Sequence, residues 1–186
     1  MPGGGAPMNQ LRIVGGQWRS RRLRVAEVPG LRPTPDRVRE TLFNWLGQEI
    51  DGWTCLDLFA GSGALGFEAA SRGAARVTLV ERDPRAYAVL QQNATLLGGD
   101  ALRCQRGDAL RFIETTAERY DLVLLDPPFR QDWLAQIEKL LPRVLAEGAY
   151  VYVEAENPVM HFAGLSQVKS GAAGQVHYQL FGGATA

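Results

Sequence analysis

The chain has 186 residues, enough for one domain with a single sizeable core. Hydrophobic residues make up 46% and charged residues 22%, a globular composition that excludes a disordered chain. No apolar run reaches the ~18 residues of a membrane span. Met1–Pro7 has neither the basic nor the apolar part of a secretory signal, so a cytoplasmic protein is expected. Cys55 and Cys104 lie in apolar stretches without a CxxC motif, which excludes a disulfide scaffold and a cysteine zinc site. Both are expected in the core. With only His161 and His177, no metal site is expected.

The net charge of zero hides an asymmetry. Residues 1–40 carry eight Arg against three acids, and Leu11–Val25 holds Arg12, Arg19, Arg21, Arg22 and Arg24 with no acid. Arginine forks suit phosphate, and a basic stripe containing Trp18 has the character of a nucleic-acid surface or of an ordinary solvated face.

Residues 1–10 read as a flexible tail. Leu11–Val14 and Leu23–Val25 are strand-like and flank a Gly15-Gly16 turn, which predicts a small basic hairpin. Thr34 reads as an N-cap with Pro35 at the first helical position. Val38, Leu42, Trp45 and Leu46 then continue as an amphipathic helix.

From residue 53 strands and helices alternate. Strands are predicted at 54–59, 76–80, 101–105, 121–125 and 149–153, and helices at 64–72, 84–97, 109–117 and 131–145. Asp83-Pro84 opens the second of these helices and Gly98-Gly99 closes it. Near-continuous apolar strands in this alternation predict a parallel sheet covered on both faces. Residues 167–169 and 175–181 read as a closing hairpin.

Asp57-Leu-Phe-Ala-Gly61-Ser-Gly63-Ala-Leu-Gly66 follows the first long strand and opens a helix. Glycines allow a tight turn and close ligand approach, and a helix N-terminus favours electron-rich groups. Glu81 stands at the end of the next strand, where a carboxylate binds ribose hydroxyls. The pair implies an adenosine cofactor, NAD or S-adenosylmethionine. Asp57 favours the latter: it suits a methionine ammonium and repels a pyrophosphate. Little chain also remains for a dehydrogenase substrate domain. Phe59 and Ser62 in the turn, Arg82 beside Glu81 and Ala109 beside Asp108 are counted with this site. Asp108 is a helix N-cap, an acceptor for the adenine amino group, or both.

Asp126-Pro127-Pro128-Phe129 ends the strand at 121–125, where ligands bind in such sheets. The prolines stiffen the loop. The Asp126 carboxylate and the Pro127 carbonyl can accept both protons of one planar amino group, and Phe129 offers a face for a base. This is the equipment for methyl transfer to an exocyclic base nitrogen.

These motifs together resemble the class I S-adenosylmethionine-dependent methyltransferases of base amino groups. More narrowly, Arg12-Ile-Val-Gly-Gly-Gln-Trp-Arg19, Leu31-Arg-Pro-Thr-Pro-Asp-Arg-Val-Arg-Glu-Thr-Leu-Phe-Asn-Trp45 and Ala173-Gly-Gln-Val-His-Tyr178 resemble the bacterial small-subunit rRNA guanine-N2 methyltransferase D family. The resemblance runs from about Leu11 to Phe181 and departs from the family pattern at Pro35 and in the Gly-rich tail.

It implies a Rossmann-like α/β domain at 34–183, with a seven-stranded, mostly parallel sheet and a basic extension at 11–33. It implies S-adenosylmethionine as cofactor and guanine N2 in 16S rRNA of the 30S subunit as target. By position it places the cofactor on Gly61, Gly63, Glu81 and Asp108, and the guanine on Asp126, Pro127 and Phe129. Thr34 and Arg37 would close over cofactor or target. Arg12, Trp18, Arg19, Arg21, Arg22 and Arg32 would contact RNA. A monomer without metal or membrane contact is expected. The competing expectations are an adenine-N6 methyltransferase on DNA or RNA, an NAD-dependent oxidoreductase, and a non-catalytic ribosome-assembly factor.

Overall fold

The computed structural model describes residues 10–129 and 132–182; the tail expected before residue 10 lies outside them. Its centre is a seven-stranded sheet in the order β5-β4-β3-β6-β7-β9-β8. The strands are β3 (Thr54–Asp57), β4 (Arg76–Glu81), β5 (Leu102–Arg106), β6 (Tyr120–Leu125), β7 (Leu145–Ala155), β8 (Ser166–Ala173) and β9 (Val176–Gly182). β3 to β7 pair in parallel, and the β8–β9 hairpin adds two antiparallel strands beyond β7. Cys55, Leu56, Leu122 to Leu125, Val151 and Val153 are buried, as strands covered on both faces require. The two faces form two core clusters, one beneath helices α1 to α3 and one beneath α4 and α5.

The helices are α1 (Asp36–Trp45), α2 (Ala64–Ser71), α3 (Pro84–Leu97), α4 (Ala109–Thr115) and α5 (Trp133–Leu140). Asp83 caps α3, accepting from the amides of Arg85 and Ala86, and Gly98 ends it in the left-handed region. Every residue of α2 is buried. A helix buried all round needs cover on every side, and its two polar side chains, Glu68 and Ser71, need partners there. The sheet covers one side; the basic hairpin β1 (Gln10–Arg12) with β2 (Arg22–Arg24), together with α1, covers another.

The hairpin is seated by the end of α2. Gly16 has φ +77°, and a Cβ there would lie 1.9 Å from the Ser71 carbonyl oxygen, so only glycine fits. The Gln17 amide donates to that carbonyl at 2.8 Å, and the Trp18 amide donates to Ser71 Oγ at 3.0 Å. Strand alternation then turns Leu11 and Leu23 inward and leaves Arg12, Arg22 and Arg24 outside.

Four sequence expectations change. Thr34 is not the N-cap of α1: the helix begins at Asp36 with Pro35 before it, and the Thr34 hydroxyl is spent on Glu154. The helix expected over 131–145 is α5 followed by a 3-10 turn at Leu141–Arg143, because Pro142 lacks the amide to continue an α-helix. The strand expected at 149–153 runs from Leu145 to Ala155. Cys104 is only partly buried, because β5 is the edge strand.

Glu68 of α2 is fully buried and accepts from the amides of Val14 and Gly15, from Arg39 Nη1 and from Arg72 Nε, all within 2.9–3.0 Å. Removing it takes the shared carboxylate from two buried guanidinium groups and leaves two amides without their acceptor. Glu68→Ala is expected to cost about 3–5 kcal/mol of unfolding free energy, read as a lowered urea midpoint with unchanged slope.

Candidate active site

A cavity of about 840 Å³ opens at the carboxyl edge of the sheet, within the size range of small-molecule sites. The loop after β3 forms its floor. Its position is fixed from both neighbouring strands: the Leu58 amide donates to Leu124 O at 3.2 Å and the Ala60 amide to Val80 O at 2.9 Å. The Gly63 amide closes the turn on Ala60 O at 2.7 Å. Gly63 has φ +84°, and its missing Cβ leaves room for the Phe67 ring. Gly63 is not itself a cavity wall; it shapes the turn that places Gly61 and Ser62 there.

Glu81 ends β4 and accepts the Gly61 amide on Oε2 at 2.7 Å and the Asp83 amide on Oε1 at 3.0 Å. Both oxygens are thereby fixed at the cavity, and each keeps a lone pair for a hydroxyl donor. Asp57 accepts the Gly66 amide on Oδ2 at 3.0 Å and is 1% exposed. Burial pushes its carboxyl up to about 7; the Gly66 amide opposes this, and the charges of Glu81 and Glu154 add to it. A cation docked beside Asp57 would restore its charged form. Asp108 also lines the cavity and caps α4, accepting the Arg111 amide at 3.1 Å. Both readings of Asp108 are therefore compatible with its place. Phe59 meets Trp133 edge to face at 5.4 Å, and both line the wall, as do Arg82 and Ala109.

Asp126, Pro127, Pro128 and Phe129 form the opposite wall, with Phe129 43% exposed. Leu125 is in register with Val153, so the next residues along β6 and β7, Asp126 and Glu154, stand side by side. Glu154 is buried, and its Oε1 accepts Tyr152 OH at 2.7 Å and Thr34 Oγ1 at 3.2 Å. Asp126 is raised well above the carboxylate range by burial, then by the charge and hydrogen bond of Glu154, then by Asp57. Glu154 is raised by burial, partly offset by hydrogen bonds from Tyr152, Asp126 and Thr34. Burial and the neighbouring charge both favour the protonated form of this pair over two separate carboxylates.

Sequence reasoning missed Glu154 and Tyr152. The signal was present: an acid ending an apolar strand, the same signal that marked Glu81 and Asp126. Of the RNA-contact candidates, Arg32 and Thr34 reach the cavity wall and Arg37 does not. Arg12, Arg19, Arg21 and Arg22 are exposed on and beside the hairpin. Arg12 is held by Asp36 at 3.1 Å, and Arg21 Nη2 donates to Leu96 O at 3.4 Å. Trp18 is 8% exposed and its ring fills the space beside Gly99, so it packs and offers no face to a base. A second, polar cleft of about 1,230 Å³ borders this loop, with Arg12, Trp18 and Arg19 in its wall.

The chain has relatives among known proteins. Residues 11–182 match the family described as conserved hypothetical protein 95. The chain belongs to this family. It is 48% identical over 179 residues to ribosomal RNA small subunit methyltransferase D of Escherichia coli K12, covering 92% of this chain and 89% of that protein. The protein of the same name from Haemophilus influenzae is 39% identical over 180 residues, covering 92% and 93% of the two chains. Among solved structures, the yhhF protein of Escherichia coli superposes with a TM-score of 0.85 at 45% identity, covering 94% of this chain and 98% of its own.

The buried Asp57 gives the site a pH signature. Its carboxyl is protonated in the folded chain up to about 7 but ionised in the unfolded chain above ~3.9. This contribution to stability is full below the unfolded value and is lost as pH rises toward the folded one. Asp57→Asn is therefore expected to flatten the fall of unfolding free energy between about pH 5 and pH 7, by up to ~1.4 kcal/mol per pH unit. Urea unfolding across that range measures it; an unchanged slope would contradict a protonated Asp57.

Proposed function

We propose that the protein transfers a methyl group from S-adenosylmethionine to the exocyclic N2 of one guanine in 16S rRNA of the small ribosomal subunit. The observation that carries this is the meeting of two half-sites in one cavity: Asp57, Gly61 and Glu81 on one side, Asp126 to Phe129 on the other. The small-subunit rRNA methyltransferases to which the chain is similar support the choice of RNA.

The cofactor half fits its group. The Gly61–Gly63 turn receives the amino-acid portion, Asp57 faces its ammonium, Glu81 accepts from the ribose and Asp108 from the adenine amino group. When bound, S-adenosylmethionine supplies a methyl group on a cationic sulfur, electrophilic without further activation. Asp126 and the Pro127 carbonyl accept the two N–H bonds of the target amine and hold it for in-line attack. Asp126 receives the proton that the amine sheds, directly or on its way to solvent. Phe129, partly exposed at the rim, stacks on the base. Residues 11–33 are the RNA-facing extension of a methyltransferase domain at 34–183, and the protein acts as a monomer in the cytoplasm.

Small subunits lacking the modification, incubated with the protein and cofactor, are expected to yield N2-methylguanosine by nucleoside mass spectrometry. N6-methyladenosine in its place would overturn the choice of base. Asp126→Ala should slow methylation by at least about 100-fold; full activity would remove Asp126 from the mechanism.

Arg21 and Arg22 are exposed. Replacing both with Ala should weaken RNA binding and reduce the slope of log affinity against log salt by up to about 2. A filter-binding titration at several salt concentrations measures it, and an unchanged slope would exclude phosphate contacts from these two residues.

A further inference from the structure

The carboxyl pair at the target wall is costly. Glu154 is 7% exposed, and Asp126 stands next to it at the end of the neighbouring strand. Placing two carboxyl groups together out of water is unfavourable unless donors satisfy them. Tyr152 and Thr34 supply two hydroxyls, but both go to the same oxygen, Oε1 of Glu154. A glutamine would satisfy those hydroxyls equally well without the like-charge cost. The carboxylate is therefore suited to something that a neutral acceptor with an amide beside it could not receive.

Guanine is such a group. Its Watson–Crick edge carries two adjacent donors, N1–H and the N2 amine. Adenine offers one donor amine beside a ring nitrogen that only accepts, which two carboxylates would repel. We propose that Glu154 is the specificity-determining residue of the target site, accepting guanine N1–H while Asp126 accepts N2–H. This rests on the guanine-N2 reading above. When the base binds, its two donors satisfy the carboxylates, and any proton held by the pair is released to solvent. The hydroxyls of Tyr152 and Thr34 fix Oε1, so that the other oxygen of Glu154 serves the base.

The fixed oxygen makes a directional test. In Glu154→Gln the amide oxygen stays with Tyr152 and Thr34, and the NH2 group takes the place facing the base. There it opposes guanine N1–H but donates to N1 of 2-aminopurine, which keeps the 2-amino group and lacks the N1 proton. The substrates are assembled small subunits whose rRNA carries guanine or 2-aminopurine at the nucleotide that the wild type methylates, mapped beforehand. Wild type is expected to prefer guanine by at least about 100-fold in kcat/KM. Glu154→Gln should lose guanine methylation by a similar factor and reverse the preference. Because 2-aminopurine also lacks O6, the decisive quantity is the change in preference between the two proteins.

A variant that keeps the wild-type preference, or a wild type that methylates both bases equally, overturns the proposal. Where the variant does not fold, a wild type that methylates both bases equally still overturns the proposal. A wild type that methylates no guanine overturns the functional reading itself, a distinguishable result.

Discussion

Much of this structure hangs on one buried carboxylate. Glu68 lies in a helix with no exposed residue and gathers four donors, two amides from the loop after β1 and two guanidinium groups, Arg39 of α1 and Arg72 just after α2. Arg39 extends the network by donating to the carbonyls of Arg12 and Thr34, and Arg72 lies over the Phe43 ring at 5.0 Å. An isolated charge at this depth would cost several kcal/mol; here the donors arrive from three separate chain segments. The basic hairpin is thereby seated on the same core as the sheet. Its arginines are presented from a fixed base, while the segment that follows it carries Thr34, bonded through its carbonyl to Arg39, to the cavity wall.

The carboxyl edge of the sheet follows a complementary logic. Asp57, Glu81, Asp126 and Glu154 come from β3, β4 and the ends of β6 and β7, and all four border one cavity. Parallel topology makes this unavoidable, because parallel strands end at the same edge. Backbone amides occupy Glu81 and one oxygen of Asp57, and a hydroxyl pair occupies one oxygen of Glu154. The remaining acceptor capacity suits a ligand set rich in N–H, O–H and positive charge.

The alternation of apolar runs with helical patterns was enough to place the five parallel strands, because doubly covered strands carry their burial in their own composition. The glycine turn, Glu81, Asp108 and Asp126-Pro-Pro-Phe were legible for a related reason. Each is a local device whose residues stand close in sequence, and each sits at a strand end recognisable by its apolar run. Trp18 was ambiguous because a half-apolar aromatic among arginines suits a base or a core equally. Only its burial against Gly99 removes the choice. Thr34 was misread for a similar reason: before Pro35 it has the form of a cap, yet its hydroxyl partner is 120 residues away.

By itself, then, the sequence determined the fold class and the positions of the glycine turn and the Asp126-Pro-Pro-Phe loop at strand ends, since short-range patterns encode backbone geometry directly. The tertiary structure decided which distant groups those local devices meet. It set Glu154 beside Asp126 through the register of β6 and β7, aimed Thr34 and Tyr152 at one oxygen, and assembled the Glu68 network of Val14, Gly15, Arg39 and Arg72 from three segments. Such partnerships depend on strand register and burial, which fix the protonation and orientation of a side chain only when the chain has closed on itself.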